Sequence, residues 1–542
     1  MIEPRPIQSG QPDGTGTAGV FPRTPPAPAR TTVPILLALA TAFALAPVLI
    51  FPLPPFADYP NHLARMHVIA TIGSDPDLSR YYEVHWQIIP NLVMDAIVPL
   101  LARLTDIYHA GQAFTVVCFV LPAAGIFALN RALFGGWSLS GLVALPFLYN
   151  HIFLVGLMNY WFGLGLALWA MAAWVLLRER AWPWRLSASA LFALALFFSH
   201  VIAVGVYGIA LLAFELWRLW QRRKVPLAAR LADFAAAGLP FLPILALLLV
   251  SPTWGLAGEN EWSLSDKLEG LYFVVSTYSD FLDAALATAM GALLIAAALR
   301  HHVRVHPAGP ILLGVGAIVY LAMPNSTLTA YLVDERLPIA IFLFAIAFMT
   351  VEIPDRIARR RFALALLALL TVRVVEVGVN WHALSGQTAD VRASTRLIEP
   401  RGARVLVADS DDVSDNEALD FALTHAGCLA IIERSALVSD VFVFPGKQIM
   451  DVRAPYSQLA GRTDMEPPSA DELAGKRKKT EASRKTRPAE ASAPYWRQWQ
   501  DKYDYVYLMY TDEDQANPAP EILTLVYQGE RFQLYKINKA KH

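Results

Sequence analysis

The chain has 542 residues, 55% of them hydrophobic and only 17% charged, with a formal net charge of −1. A soluble protein carries charge on about a quarter of its residues, so this composition, with a mean hydropathy of +0.39, excludes an ordinary soluble enzyme. Two cysteines, one in an apolar run and one far away in a polar region, exclude a disulfide framework or a cysteine-built zinc site.

Residues 1–30 are rich in Pro, Gly and Thr and are expected to form a disordered N-terminus. Apolar runs follow, each long enough to cross a bilayer as a helix. Spans are expected near 33–53, 111–130, 138–155, 159–177, 186–200, 202–219, 230–250, 281–299, 308–323, 337–352 and 362–380, about eleven in all. The segment 90–104 places Leu92, Val93, Ala96, Ile97, Leu100 and Leu104 at helical spacing, with Asp95 and Arg103 elsewhere. It reads as a helix lying in the membrane interface.

Lys and Arg set the orientation. Arg178, Arg180 and Arg185 share one loop, and Arg218, Arg222, Arg223, Lys224 and Arg230 another. Arg300 and Arg304 follow, then Arg356 and Arg359 to Arg361. Every second loop is basic, which puts these loops and the N-terminus in the cytoplasm. Residues 54–110, and everything after 380, then lie outside.

Residues 381–542 read as a soluble α/β domain. Ala403–Asp409 and Tyr505–Tyr510 read as strands, and Leu523–Tyr527 with Phe532–Ile537 as a hairpin. Asn416–Ala426 and Tyr495–Lys502 are expected to be short helices. A basic insert at about 467–494 reads as a mobile, solvated loop. The predicted class is thus an α-helical polytopic membrane domain, residues 31–380, followed by a C-terminal α/β domain.

Asp58 is the leading candidate for chemistry. It emerges directly after the first span, in the stretch Pro54 to Arg65, where a short amphipathic helix begins. His62 and Arg65 share one side of that helix, three residues apart. An acid, an imidazole and a guanidinium at the bilayer surface can deprotonate a hydroxyl and hold a phosphate. The structural alternative is that Asp58 merely caps the helix, with Pro60 in its first turn, while Arg65 snorkels to lipid phosphates. Glu83 and His85 lie later in the same loop, and His200 ends a span at membrane depth. Arg336 opens another span on the same side. His62, His85 and His200 show no HxH or HExxH spacing, so no metal site is assigned. No GxxxxGK or strand-GxGxxG-helix unit is present, and nothing points to nucleic acid.

This arrangement resembles the GT-C superfamily of membrane glycosyltransferases, such as protein O-mannosyltransferases and aminoarabinose transferases. The shared features are an acid after the first span, a large outer loop with interfacial helices, many further spans and an external C-terminal domain. The run Gly156-Leu157-Met158-Asn159-Tyr160-Trp161-Phe162-Gly163 and the pair Ser199-His200 are similar to features of bacterial GT-C-like proteins. Family members usually carry two neighbouring acids in the first loop, whereas here Asp58 stands alone.

The resemblance implies a multi-pass protein of a bacterial inner membrane, with its N-terminus cytoplasmic and its C-terminal domain periplasmic. It implies a polyprenyl-phosphate sugar as donor, no cofactor, and a glycan, lipid or protein as acceptor. Asp58 would be the general base of an inverting transfer. Arg65, His62, His200 and Arg336 would stabilise the leaving phosphate. A transporter or lipid flippase, and a non-catalytic scaffold in envelope polysaccharide assembly, are the competing readings.

Overall fold

The apolar runs fold into helices because a backbone in hydrocarbon must satisfy its own N–H and C=O groups. The computed structural model of the protein describes residues 32–256, 260–327, 330–410, 412–461, 466–475 and 494–539. The N-terminus read as disordered and most of the basic insert lie outside these residues.

Among the described residues, six helices are long and apolar enough to cross a membrane: Ile107–Phe134, Met158–Leu176, Val201–Gln221, Leu227–Val250, Asp280–Leu299 and Arg356–Leu397. Thr32–Ala44, Ala308–Ala322 and Arg336–Ala347 are shorter apolar helices. Trp182–Ser199 is a further helix, packed against Met158–Leu176. Large apolar side chains such as Leu249, Ile295 and Ile318 stay exposed on these helices, as a lipid-facing surface requires. The chain is a multi-pass membrane protein.

Several expectations are corrected. The run 138–155 is not one span. It breaks into Ser140–Ala144, a 3-10 turn Leu145–Leu148 and His151–Leu154. Pro146 removes a backbone donor, and the Asn150 side chain recaps the chain by accepting from the Phe153 N–H at 3.2 Å. The run 337–352 leaves the helix at Ala347. Residues 90–104 contain only the short helix Val93–Leu101, whose Asp95 is buried rather than turned to water. The boundary expected at 380 falls inside one continuous helix, Arg356–Ser394, which carries the chain out of the membrane domain. Residues 416–426 form a 3-10 turn, Glu417–Leu419, and the helix comes later, at Leu429–Arg434.

Strand β1 (Tyr82–Val84) lies in the first loop, and β2 (Val303–Val305) pairs antiparallel with β3 (Met349–Val351) at the far end of the bundle. The C-terminal domain contributes β4 (Arg404–Asp409), β5 (Leu437–Val438), β6 (Met450–Val452), β7 (Tyr505–Met509), β8 (Leu523–Gln528) and β9 (Phe532–Ile537). Its five-stranded sheet has the order β5-β4-β7-β9-β8. Strands β5, β4 and β7 are parallel, and β8 and β9 form the expected hairpin.

The domain grips the first loop. β6 pairs antiparallel with β1, and the Tyr82 hydroxyl donates to the Ala436 carbonyl at 3.1 Å. Tyr81 and Arg80 both donate to the Gly402 carbonyl, at 2.6 and 3.0 Å. These contacts bring the carboxyl ends of the parallel strands to the start of the loop helix Tyr59–Thr71, where Asp58 sits.

Candidate active site

Asp58 occupies the residue before the loop helix but does not cap it: its side chain makes no capping hydrogen bond. Its backbone is pinned instead, with the Asp58 N–H donating to the Val155 carbonyl at 2.9 Å and its own carbonyl accepting from the His62 N–H at 3.0 Å. Gly156 makes this close approach possible. It sits at φ +90°, and a Cβ there would lie 3.1 Å from Phe56 Cβ and 3.4 Å from the Asp58 nitrogen. The carboxylate keeps 22% exposure. Burial raises its pKa, against the opposing pull of His425, Arg336 and Arg65, and Asp440 adds to the rise.

Arg65 and His62 lie on the next turn, both buried. Arg65 is not free to snorkel. Its Nε and Nη2 meet the two oxygens of Asp95 at 2.8 and 3.2 Å, and both side chains are 1% exposed. Its Nη1 makes no hydrogen bond among the described residues. His62 was expected to serve as a cation. Burial, with Arg65 and His425 beside it, drives its pKa well below the ordinary value and holds the ring neutral. His62 Nδ1 is also without a hydrogen-bond partner.

His200 and Arg336 come together from two different helices. His200 begins the Val201–Gln221 helix with Nδ1 3.2 Å from the Ile202 nitrogen, and its Nε2 lies 3.1 Å from Arg336 Nη1. Arg336 donates through Nη2 to the Tyr331 carbonyl at 2.7 Å, and its own carbonyl accepts from the Tyr160 hydroxyl at 2.6 Å. Its Nε has no hydrogen-bond partner. Asn159, also from the 156–163 run, accepts from the Met94 N–H and donates to the Asn91 carbonyl, each at 2.8 Å. That run is therefore the frame on which Asp58, Arg336 and the Asp95 helix are mounted.

Glu83 and His85 do other work. Glu83 lies in β1, and the His85 N–H donates to the Ile449 carbonyl at 2.7 Å. Their side chains pair with each other at 3.4 Å on the surface.

Three groups escaped the sequence reading. His425 Nε2 lies 3.8 Å from Asp58 Oδ1, and His425 Nδ1 lies 2.6 Å from Asp440 Oδ2. Asp409, at the end of β4, is pushed up to about 7 by burial and by Asp440, with His425 opposing. The only sequence signal for them was an acid at or just past the carboxyl end of an apolar strand. Among the described residues, no three His, Cys, Asp or Glu side chains are grouped to hold a metal ion.

The chain superposes on the solved structure of ArnT from Cupriavidus metallidurans bound to undecaprenyl phosphate, with a TM-score of 0.51 at 11% identity. The match covers 94% of this chain and 98% of that one. The same protein in its apo state gives a TM-score of 0.47 at 11% identity with the same coverage. No family model matches the chain, and no curated protein matches it. The chain shares its overall fold with ArnT.

Proposed function

We propose that this protein is a membrane glycosyltransferase that moves a sugar from a polyprenyl-phosphate donor to a hydroxyl of an envelope acceptor, on the periplasmic side of a bacterial inner membrane. The observation that carries the reading is the state of Asp58. It is a carboxylate whose side chain makes no capping hydrogen bond to the helix it precedes, partly open, on an ArnT-like fold, at the point where the chain leaves the first apolar helices. The solved neighbour holds undecaprenyl phosphate, and a donor of that kind stays in the membrane, which supports transfer at the bilayer surface beside Asp58.

Asp58 takes the proton of the acceptor hydroxyl. The oxygen so freed attacks the anomeric carbon, the bond from that carbon to the phosphate oxygen breaks, and its electron pair leaves on the polyprenyl phosphate. The configuration inverts. Phosphate is already a weak base, so no general acid is required. Its growing charge is met by Arg336 and by the Nη1 of Arg65 that has no partner among the described residues, while the neutral His62 ring and the His200 ring stand beside the site as hydrogen-bonding groups. Glu83 and His85 remain outside this role.

The test is turnover of a labelled polyprenyl-phosphate sugar by the purified wild type and by Asp58→Asn. Transfer by the wild type and none by the variant supports the reading. Equal turnover removes Asp58 from the mechanism. No turnover, with lipid flux across liposomes, turns the protein into a flippase.

A further inference from the structure

We propose that the C-terminal domain supplies the second half of this active site: His425, clamped by Asp440, is a positioning residue that keeps the Asp58 carboxylate charged and in place. The proposal rests on the reading of Asp58 as general base.

The sheet explains why these groups arrive together. β4 lies between β5 and β7, all three parallel, so the chain leaves β4 toward one side and returns on the other. In such sheets a crevice opens outside the carboxyl ends of the strands, at the point where the order reverses. Asp409 ends β4, Asp440 follows β5, and Tyr510 follows β7. His425 stands on the connection from β4 to β5, at φ +55°, and Tyr510 at φ +58°. A non-glycine residue in the left-handed region persists only where its surroundings enforce it.

The crevice is bolted to the loop helix rather than resting on it. Asn61 Nδ2 donates to the Asp440 carbonyl at 2.8 Å, and Asn61 Oδ1 accepts from the Phe442 N–H at 2.9 Å. The Phe442 ring meets His425 edge-on at 4.8 Å and His62 at 5.7 Å. With Nδ1 committed to Asp440, the His425 ring can turn only its Nε2 edge toward Asp58. An imidazolium carries an N–H on each nitrogen and so serves both carboxylates at once.

The charges facing the pair come from both domains. Around His425, burial disfavours the cation, but Asp440, Asp58 and Asp409 outweigh it and hold the ring up at about 9. Around Asp58, His425 is the strongest of the cations, ahead of Arg336 and Arg65, and Asp440 opposes them. His62 is close but neutral. Removing the His425 charge therefore raises the pKa of Asp58 further and lowers the share of its basic form. The acceptor proton still ends on Asp58, and no bond is made or broken at His425.

The full-length protein in detergent, turning over an undecaprenyl-phosphate sugar across a broad pH range, provides the test. His425→Gln is expected to lose about tenfold at neutral pH and to recover as pH rises, because each unit of pKa shift is a factor of ten in ionised base. Asp440→Asn moves the acid limb the same way by less. In ¹⁵N-histidine spectra, the signal missing from His425→Gln titrates near pH 9 in the wild type and lower in Asp440→Asn. That titration needs no activity. A His425 signal that titrates in the ordinary histidine range overturns the proposal. So does an active wild type whose pH profile His425→Gln shares, and that result leaves the transferase reading standing. A wild type that turns over no lipid-linked sugar removes the transferase reading, and the proposal falls with it.

Discussion

The Met158–Leu176 helix, about 28 Å long at 1.5 Å per residue, joins two dense clusters of charge that are built in opposite ways. Just past its last turn, Arg178, Arg185, Arg218 and Arg222 converge on Glu215 and Asp233. Arg185 and Arg222 reach Asp233 at 3.0 and 2.9 Å, Arg178 closes on the same carboxylate, and Arg218 reaches Glu215 at 3.2 Å. Trp174 Nε1 donates to Glu215 at 2.8 Å. The void among them is about 10 Å³, room for one water at most. Before the first turn lies Asp58, which has His425 Nε2 3.8 Å away and whose carboxylate keeps contact with solvent. Carboxylates saturated by arginines hold helices together. A carboxylate left short of partners, with buried donors unspent around it, is available to a substrate.

Substitutions at the two ends should separate these roles. Asp58→Asn has the largest expected effect: turnover falls by about 10²–10⁴-fold, while the thermal midpoint stays at the wild-type value. Asp233→Ala does the reverse. Stripping the shared carboxylate from the buried Arg185 and its half-buried neighbours costs up to about 3–5 kcal/mol, seen as a lower unfolding midpoint, while the protein that remains folded keeps its turnover number. Equal losses of activity per folded molecule at both ends would erase the contrast.

A pH series sharpens it further. Turnover should fall on the acid side at a pH above the usual carboxylate range, because burial raises Asp58. His425 loses its proton near pH 9, where Asp58 no longer depends on its charge, so no second fall is expected there. The same ring gives a stability term with a definite sign. Its folded pKa, about 9, lies above the ordinary 6.5, so the stabilisation is complete below 6.5 and is lost as pH rises through about 9. Denaturant midpoints at several pH values check this. The smallest effect belongs to Glu83→Ala, a surface pair whose loss should change turnover by less than roughly twofold.

Much of the membrane domain was legible because length and apolarity alone decide a span. The breaks were legible only in part. Pro146 interrupts the 138–155 run openly, yet uninterrupted apolar character masked it. Asp58 was visible from its place after the first helix. The partner of Arg65 was visible too, as an Asp95 set off the apolar face of its segment, but burial rather than solvent claims it. His425 and Asp440 were not legible. They reach Asp58 only through the β1–β6 pairing and the Asn61 contacts, which span more than 350 residues of chain. No local pattern records such a contact.

The β1–β6 ladder also sets an order of events in biosynthesis. Tyr82–Val84 leaves the ribosome early and has no strand to pair with until Met450–Val452 has been made. Through all that interval the loop around Asp58 lacks its clamp, and the basic group cannot be fully formed. The clamp arrives only with the C-terminal domain, so a truncated product that inserts correctly into the bilayer carries Asp58 without it.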